Sequence, residues 1–258
     1  MKILFLADVF GVPGRRAVEE HLGSLRERYD ADLAIVNGEN AADGAGITAK
    51  LADKLLASGA DVITLGNHTY RRSGIASYLA ASERVIRPAN SGAQAPGRGL
   101  AVVEARNGVR VAVLNLLGQL FLSTPVSPWE VVDELVDEAR AAAPVVVVDF
   151  HAEATSEKVA MATWLDGRVT AVIGTHTHVQ TNDARVLPGG TAAVTDAGMT
   201  GPHDSVIGVR SELAISRMRT RLPVRFEPAE GDVRLEGVLL TCTDAGRAEE
   251  IELVRIQV

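Results

Sequence analysis

Five short apolar runs in this chain each lead into a residue that can hold a metal ion. Ile3-Leu4-Phe5-Leu6 runs into Asp8, and Leu33-Ala34-Ile35-Val36 runs into Glu39 and Asn40. Val62-Ile63-Thr64-Leu65 leads to Asn67 and His68. Two later runs, over 145–148 and 169–173, lead to His151 and to the pair His176 and His178. Runs of this length and composition read as buried strands. In open α/β sheets, ligands sit at the carboxyl ends of the strands. One such coincidence means little. Five of them put carboxylates, amides and imidazoles on one rim, the donor set of a metal-dependent hydrolase.

Paired divalent ions take roughly four to six ligands each and sit ~3.5–4 Å apart around a shared ligand and a shared water. A carboxylate is the natural bridge, and Asp8 and Glu39 are the rim's candidates. Residues i and i+2 of an extended backbone point the same way, so the rings of His176 and His178 can each address one ion. Asn67 offers a neutral carbonyl oxygen, which leaves His68 free for another task. Taken singly, each histidine is more simply a hydrogen-bonded structural imidazole. Their joint placement at strand ends is what speaks for metal.

The elements that must position these residues alternate in the first half. Gly11-Val12-Pro13-Gly14 opens a helix with Ala17, Val18, Leu22, Leu25 and Tyr29 on one face. A small-residue loop over 41–46 precedes a helix carrying Ile47, Leu51 and Leu55, which stops near Gly59. Residues 73–81 form the next expected helix. Strand-helix repetition of this kind specifies a parallel sheet covered by helices. The middle reads as more antiparallel, because 100–105 and 109–116 flank the turn-forming pair Asn107-Gly108. A helix over 130–142 presents Val132, Leu135, Val136 and Ala139, and Thr155 is the expected N-cap of a helix reaching Leu165. A glycine-rich loop over 195–208 leads to a helix over 212–218. Strands are expected near 223–227, 233–242 and 249–257, the last two joined at Asp244-Ala245-Gly246. No repeat or linker interrupts the chain, so residues 1–258 are expected to form one domain of two stacked sheets with helices outside.

At 258 residues, 47% apolar and 23% charged, the chain can bury a full core. Aromatic residues are only 4%, so Ala, Val and Leu must fill it. The net charge of −7 lacks the basic footprint of a duplex nucleic-acid binder. It leaves room for a small phosphate substrate, since bound metal ions would set the local potential. Cys242 is the only cysteine, which excludes an intrachain disulfide and suits a reducing cytoplasm. The first apolar run breaks at Asp8, too early for a secretory segment. The stretch over 141–148 contains Pro144 and falls far short of the ~20 residues of a membrane helix. A cytoplasmic protein without a membrane span is expected, with oligomeric state left open.

Asp8, Gly66-Asn67-His68, His151 and His176-Thr177-His178 together resemble the calcineurin-like metallophosphoesterases. More narrowly, Asp8-Val9-Phe10-Gly11, Asn37-Gly38-Glu39-Asn40 and Thr195-Asp196-Ala197-Gly198-Met199-Thr200-Gly201-Pro202 resemble the bacterial YmdB-like branch, with motifs in family order from Met1 to about Gly208. The resemblance implies an α/β fold, a four-layer α/β/β/α sandwich of two mixed sheets flanked by helices. It also implies a di-metal phosphodiesterase acting on cyclic nucleotides, 2′,3′ and by extension 3′,5′, with two ions of iron or manganese. Zinc suits the same O and N ligands. By this resemblance the first ion would take Asp8, Glu39, Asn40 and His178, and the second Glu39, Asn67, His151 and His176. Water bridging the ions would attack phosphorus as hydroxide, and His68 would protonate the leaving alkoxide. The rivals are a phosphomonoesterase (nucleotidase or protein phosphatase) on the same site and a nucleotide-binding regulatory protein with little turnover.

The chain departs from the broad family at Phe10, where the first strand usually supplies a His. It departs again at Glu39 in place of an Asp, at Thr69 in place of an acid, and at the extra Thr175 before His176. Asn40 is the expected substitute for the lost ligand. Arg71 and Arg72 either clamp a phosphate oxygen or form a solvated basic pair, and His203 is a candidate for the pocket wall. Gly44-Ala45-Gly46 reads as turn chemistry more than as a phosphate cradle.

Overall fold

The computed structural model describes residues 1–258. Strand β1 (Lys2–Leu6) enters helix α1 (Gly11–Tyr29), and β2 (Leu33–Asn37), α2 (Ala49–Ala57), β3 (Val62–Thr64), α3 (Ile75–Ala81) and β4 (Val85–Ile86) continue the alternation. Strands β5 (Leu100–Glu104) and β6 (Arg110–Leu117) form the expected hairpin. Helix α4 (Pro128–Ala142), β7 (Val145–His151), α5 (Thr155–Trp164) and β8 (Ala171–Thr175) follow. The last third holds β9 (Arg185–Val186), β10 (Ala192–Val194), β11 (Gly201–Pro202), α6 (Ser211–Thr220), β12 (Val233–Cys242) and β13 (Ala248–Gln257).

These strands make two mixed sheets. The first runs β11-β12-β1-β2-β3-β4, with β13 also paired to β12; it is parallel from β1 to β4 and antiparallel around β12. The second runs β5-β6-β7-β8-β10-β9, parallel from β6 to β10 with an antiparallel strand at each edge. Alternation along each strand sorts the core into three layers. Ile3 and Phe5 of β1 meet Val145 and Val147 of β7 between the sheets. Leu4 and Leu6 face Val18 and Leu22 of α1, while Val146 and Val148 face Val132 and Val136 of α4. The result is the α/β/β/α sandwich, and burial on both faces explains why the strand runs are apolar throughout. No helix is long and apolar enough to cross a membrane.

Several local expectations are corrected. Residues 223–227 are not a strand; they lie in an exposed return loop between Pro223 and Pro228, with no strand edge offering hydrogen bonds. Thr155 is the first residue of α5 and Ala154 the N-cap, without a side-chain cap. Ile47 precedes α2, whose cap is Thr48 accepting from Leu51 N. Helix α3 starts at Ile75, because Gly74 adopts φ 80°. In the middle, only the β5–β6 pair is antiparallel.

Close sheet packing makes one glycine indispensable. A Cβ on Gly237 of β12 would sit 1.9 Å from the Phe5 carbonyl oxygen. Gly237→Ala is therefore expected to lower the urea midpoint by about 1–3 kcal/mol equivalent at unchanged m-value. Gly23→Ala, in the middle of α1 with nothing near its Cβ, is expected to raise stability by about 0.5–1 kcal/mol. Equal midpoints for the two variants would contradict this packing.

Candidate metal centre

Towards the carboxyl ends of the strands, the inward-facing row between the sheets turns from apolar to polar. Asn37, Thr64, Asn115, Asp149 and Thr175 all lie there, fully buried. Asp149 is their hub. It accepts from Thr64 Oγ1, from Thr175 Oγ1 at 2.7 Å and from Asn37 Nδ2 at 2.9 Å. Asn37 Oδ1 in turn accepts from Glu39 N, and Asn115 Oδ1 from Leu65 N. This polar floor stitches the two sheets together beneath the rim and aims the turns that follow each strand.

Above it the expected ligands converge. His151 Nε2 lies 3.1 Å from each of Glu39 Oε1, Asn67 Oδ1 and His176 Nδ1. Glu39, His151 and His176 offer ligand atoms all within 4.8 Å of one another. Beside this group, His178 Nε2 stands 3.8 Å from Asp8 Oδ1 and 3.0 Å from Asn40 Nδ2. Asn40 Nδ2 also meets Glu39 Oε1, while its Oδ1 faces His68 Nδ1 at 3.1 Å. A half-turn of the amide exchanges its two ends and brings oxygen to His178. Glu39 thus stands between the two groups, with His68 N donating to its Oε2 at 3.0 Å.

Each imidazole is tied by its outer nitrogen. His151 Nδ1 meets Thr175 Oγ1 at 2.9 Å; Thr175 spends its proton on Asp149, so His151 is the donor there. His178 Nδ1 donates to Ile207 O at 2.9 Å, and His176 Nε2 meets Glu153 Oε2 at 3.0 Å. Outer ties of this kind set the tautomer so that the inner nitrogen presents a lone pair. Glycine makes the space: a Cβ on Gly66 would lie 2.4 Å from both Glu39 Oε2 and His151 Nε2.

The donor set fits a cation. Ligands at ~2.1 Å from one ion and at right angles to each other are about 3.0 Å apart, close to the 3.1 Å separations around His151. Asp8 Oδ1 is buried with no hydrogen-bond partner, a cost that a cation relieves. Burial is the largest influence on Asp8 and holds its carboxyl well above the usual range. Burial alone would raise Glu39 too, but the charge and hydrogen bonds of His151 and His68 keep it well below the carboxylate range. For His151, burial acts downward and is outweighed by Glu39, Asp8 and Asp149, which lift it to about 9. Burial and the His151 charge push His176 down to about 3.

The His176-Thr177-His178 turn is held under tension. His176 and His178 have φ of 102° and 64°, and Asp8 has φ 21°, backbone that side chains other than glycine rarely adopt. Asp196 is the clamp. Its Oδ2 accepts from Thr177 N at 3.0 Å and Thr177 Oγ1 at 2.7 Å, and pairs with the buried Lys158 Nζ at 2.7 Å.

Phe10 is buried and packs edge-on against His178 at 5.6 Å, so at this position the chain presents a wall and no ligand. The Arg72 guanidinium donates to the carbonyls of Ala42 and Ala45, bracing the 41–46 loop from within. His203 Nε2 faces Met199 O at 3.2 Å and Glu236 at 3.8 Å, outside the converging group. Sequence reasoning missed Asp149, Thr175, Asn37, Glu153, Asp196 and Lys158. For Asp149 a signal existed: an acid two residues before His151 in a valine strand shares its face.

An α/β/β/α sandwich with these donors on one rim defines a metal-dependent phosphoesterase of the metallophosphoesterase class. The family described as YmdB-like protein matches residues 4–254, and the chain belongs to it. The chain is 48% identical over 257 residues to the 2′,3′-cyclic-nucleotide 2′-phosphodiesterase of Bacillus subtilis (strain 168), covering 99% of this chain and 97% of that relative. Among solved structures, a hypothetical protein from Thermus thermophilus superposes with TM-score 0.93 at 40% identity, covering 100% of this chain and 99% of the other. A novel phosphatase from Mycoplasma pneumoniae superposes with TM-score 0.90 at 35% identity, covering 100% and 93%.

Two outcomes follow for metal loading. Gly66→Ala is expected to leave far-UV circular dichroism intact and to strip the metal, read by elemental analysis; full occupancy would contradict the packing. His151, lifted to about 9, carries a proton at neutral pH that an incoming cation must displace. Apparent Mn²⁺ affinity should therefore climb from pH 6 to 8, about tenfold per pH unit for each displaced proton. Chelator competition across that range checks it, and a flat profile would reject it.

Proposed function

We propose that this protein is a di-metal phosphodiesterase that opens 2′,3′-cyclic nucleotides. The chain is a metal-dependent phosphoric diester hydrolase, and residues 1–258 act as one metallophosphoesterase domain whose ligands come from both sheets. The observation that carries this reading is the meeting of Glu39, Asn67, His151 and His176 around one point, with Glu39 and His151 buried, beside the unpartnered Asp8 oxygen. The relative 48% identical over nearly the whole chain supports the substrate class.

Glu39, Asn67, His151 and His176 would hold one ion, and Asp8, Glu39, Asn40 and His178 the other, with iron or manganese preferred and zinc compatible. Divalent ions in such a site supply Lewis acidity and lower the pKa of water. The remaining work falls to the chain. Asp149, through Thr175, keeps His151 in the ligating tautomer, and Glu153 and the Ile207 carbonyl do the same for His176 and His178. His68 engages Glu39 and Asn40 through Nδ1, at 3.2 and 3.1 Å, which leaves Nε2 turned away from them on a ring 26% exposed. From there it donates a proton to the departing ribose oxygen as the phosphorus–oxygen bond breaks. A 3′,5′-cyclic nucleotide presents the same diester and belongs in the same assay.

Hydrolysis of bis-(p-nitrophenyl) phosphate with added Mn²⁺ tests the assignment. His68→Ala should lower kcat by about 10²–10⁴ at unchanged metal content, and Asn67→Ala should lower metal occupancy and activity together. Undiminished turnover in both variants would end the mechanism. Preference for p-nitrophenyl phosphate over the diester would replace it with a monoesterase.

A further inference from the structure

Residues 211–226 form an arm that leaves the rim and returns to it. Its base is closed by the Val209–Pro228 bridge, by Arg210 N donating to Glu227 O at 3.0 Å, and by Arg210 paired with Glu212 and Glu227. That base touches the metal centre: Ile207 O accepts from His178 Nδ1, and Gly208 lies flat against the Phe10 ring that walls His178. Helix α6, the outgoing limb, buries only Ala214, against Phe10 and Met199. Ten residues of helix extend about 15 Å, so the arm reaches well beyond the site while remaining anchored beside it.

Its surface is unlike the rest of this protein. Residues 213–226 hold four arginines (217, 219, 221 and 225) and no acid, on a chain of net charge −7. All four are exposed, and the arm's acids at its base are already taken by Arg210. Interleaved with them, Ile215, Met218, Leu222 and Phe226 are 49%, 73%, 64% and 42% exposed. Arg217 stacks over Phe226 at 5.1 Å, and Ala214, Arg217, Met218, Arg221 and Phe226 line an open cleft of about 560 Å³. Guanidinium groups for phosphates beside apolar and aromatic faces for bases are what single-stranded nucleic acid requires. A symmetric contact between two copies of this face would oppose four arginines to four arginines, which like-charge repulsion disfavours.

The substrate's own chemistry points the same way. A 2′,3′-cyclic phosphate forms when a ribose 2′-hydroxyl attacks the neighbouring 3′-phosphodiester. The new bond joins phosphorus to O2′, the bond to O5′ of the next nucleotide breaks, and the proton passes to that O5′. This is strand scission of RNA by transesterification, and it leaves the cyclic phosphate attached to all the nucleotides upstream. Resting on the phosphodiesterase reading, we propose that the substrate is the cyclic-phosphate end of an RNA strand, and that the arm over 211–226 holds the single strand upstream of it.

The test compares 2′,3′-cyclic AMP with a short oligoribonucleotide ending in a 2′,3′-cyclic phosphate, on the metal-loaded full chain and on Arg219→Ser/Arg225→Ser. The wild type should favour the oligonucleotide by about tenfold or more in kcat/KM, through KM, with a steeper salt dependence. The double variant should lose that preference while turning over the mononucleotide unchanged, and its log–log salt slope for the oligonucleotide should shrink by about 1.4. Equal kcat/KM for the two substrates in the wild type, or a preference that survives the double variant, would overturn the proposal. If the wild type opens neither substrate, the phosphodiesterase reading falls. Anisotropy of a fluorescent oligoribonucleotide then decides the arm separately, binding lost in the double variant supporting it and no wild-type binding overturning it. Self-association in sedimentation that Met218→Ser abolishes, without any oligonucleotide advantage, would make the face a contact between copies and also overturn it.

Discussion

The structure depends on a crowd of ligand atoms gathered around one buried imidazole nitrogen, His151 Nε2. Around His151 Nε2 stand a carboxylate oxygen, an amide oxygen and a second imidazole nitrogen, each at 3.1 Å, with His151 and Glu39 themselves buried. Such groups repel unless protons or cations lie between them. The tie made by the outer nitrogen of each ring removes the easy escape, which would be rotation of the ring towards another partner. Gly66 removes another source of relief by leaving no side chain to separate Glu39 from His151. The site is thereby built to attract positive charge. The Asp8 carboxyl and the His151 imidazole are accordingly both held above their usual ranges.

Holding such a cluster costs local stability, and the cost falls on its surroundings. Three rim residues adopt left-handed backbone, and a buried Lys158–Asp196 pair secures the turn that carries two of them. A buried ion pair seldom adds much stability over an apolar contact, yet it strongly resists loss of either partner. Here its geometry has a further use, because the same Asp196 oxygen also binds Thr177. The polar floor around Asp149 follows the same logic, replacing apolar packing between two sheets with hydrogen bonds that fix direction. Proteins give up packing of this sort where a site needs rigid orientation.

Phe10 links the metal centre to the rest of the rim. Where a ligand would have been, its ring packs against His178 on one side and receives Gly44, Gly201 and Gly208 on others. Phe10 is thus an apolar post on which the 201–210 segment rests, and from which the arginine-rich arm departs. The Ile207 carbonyl that orients His178 belongs to that segment. A ligand's orientation and the arm's attachment consequently share one short stretch of chain.

Strand runs, the hairpin at Asn107-Gly108 and the order of the rim residues were legible in the sequence, because period-two alternation and turn chemistry are local properties. Asp8, Glu39, Asn67, His151, His176 and His178 could be suspected together since each follows an apolar run. Other features were not legible. Residues 223–227 carry strand-like composition, but a strand exists only where an edge receives it, and no edge lies there. Arg72 reads as either a phosphate clamp or a solvated cation, and its donation to the Ala42 and Ala45 carbonyls appears only once the 41–46 loop is folded beside it. Asp149, Thr175 and Asn37 come from three strands in two sheets, and only stacking of those sheets brings them into one network. Local pattern determined which side chains face inward at each strand end. Only tertiary packing decided which of them meet, because a contact between sheets depends on register and stacking that no single segment encodes.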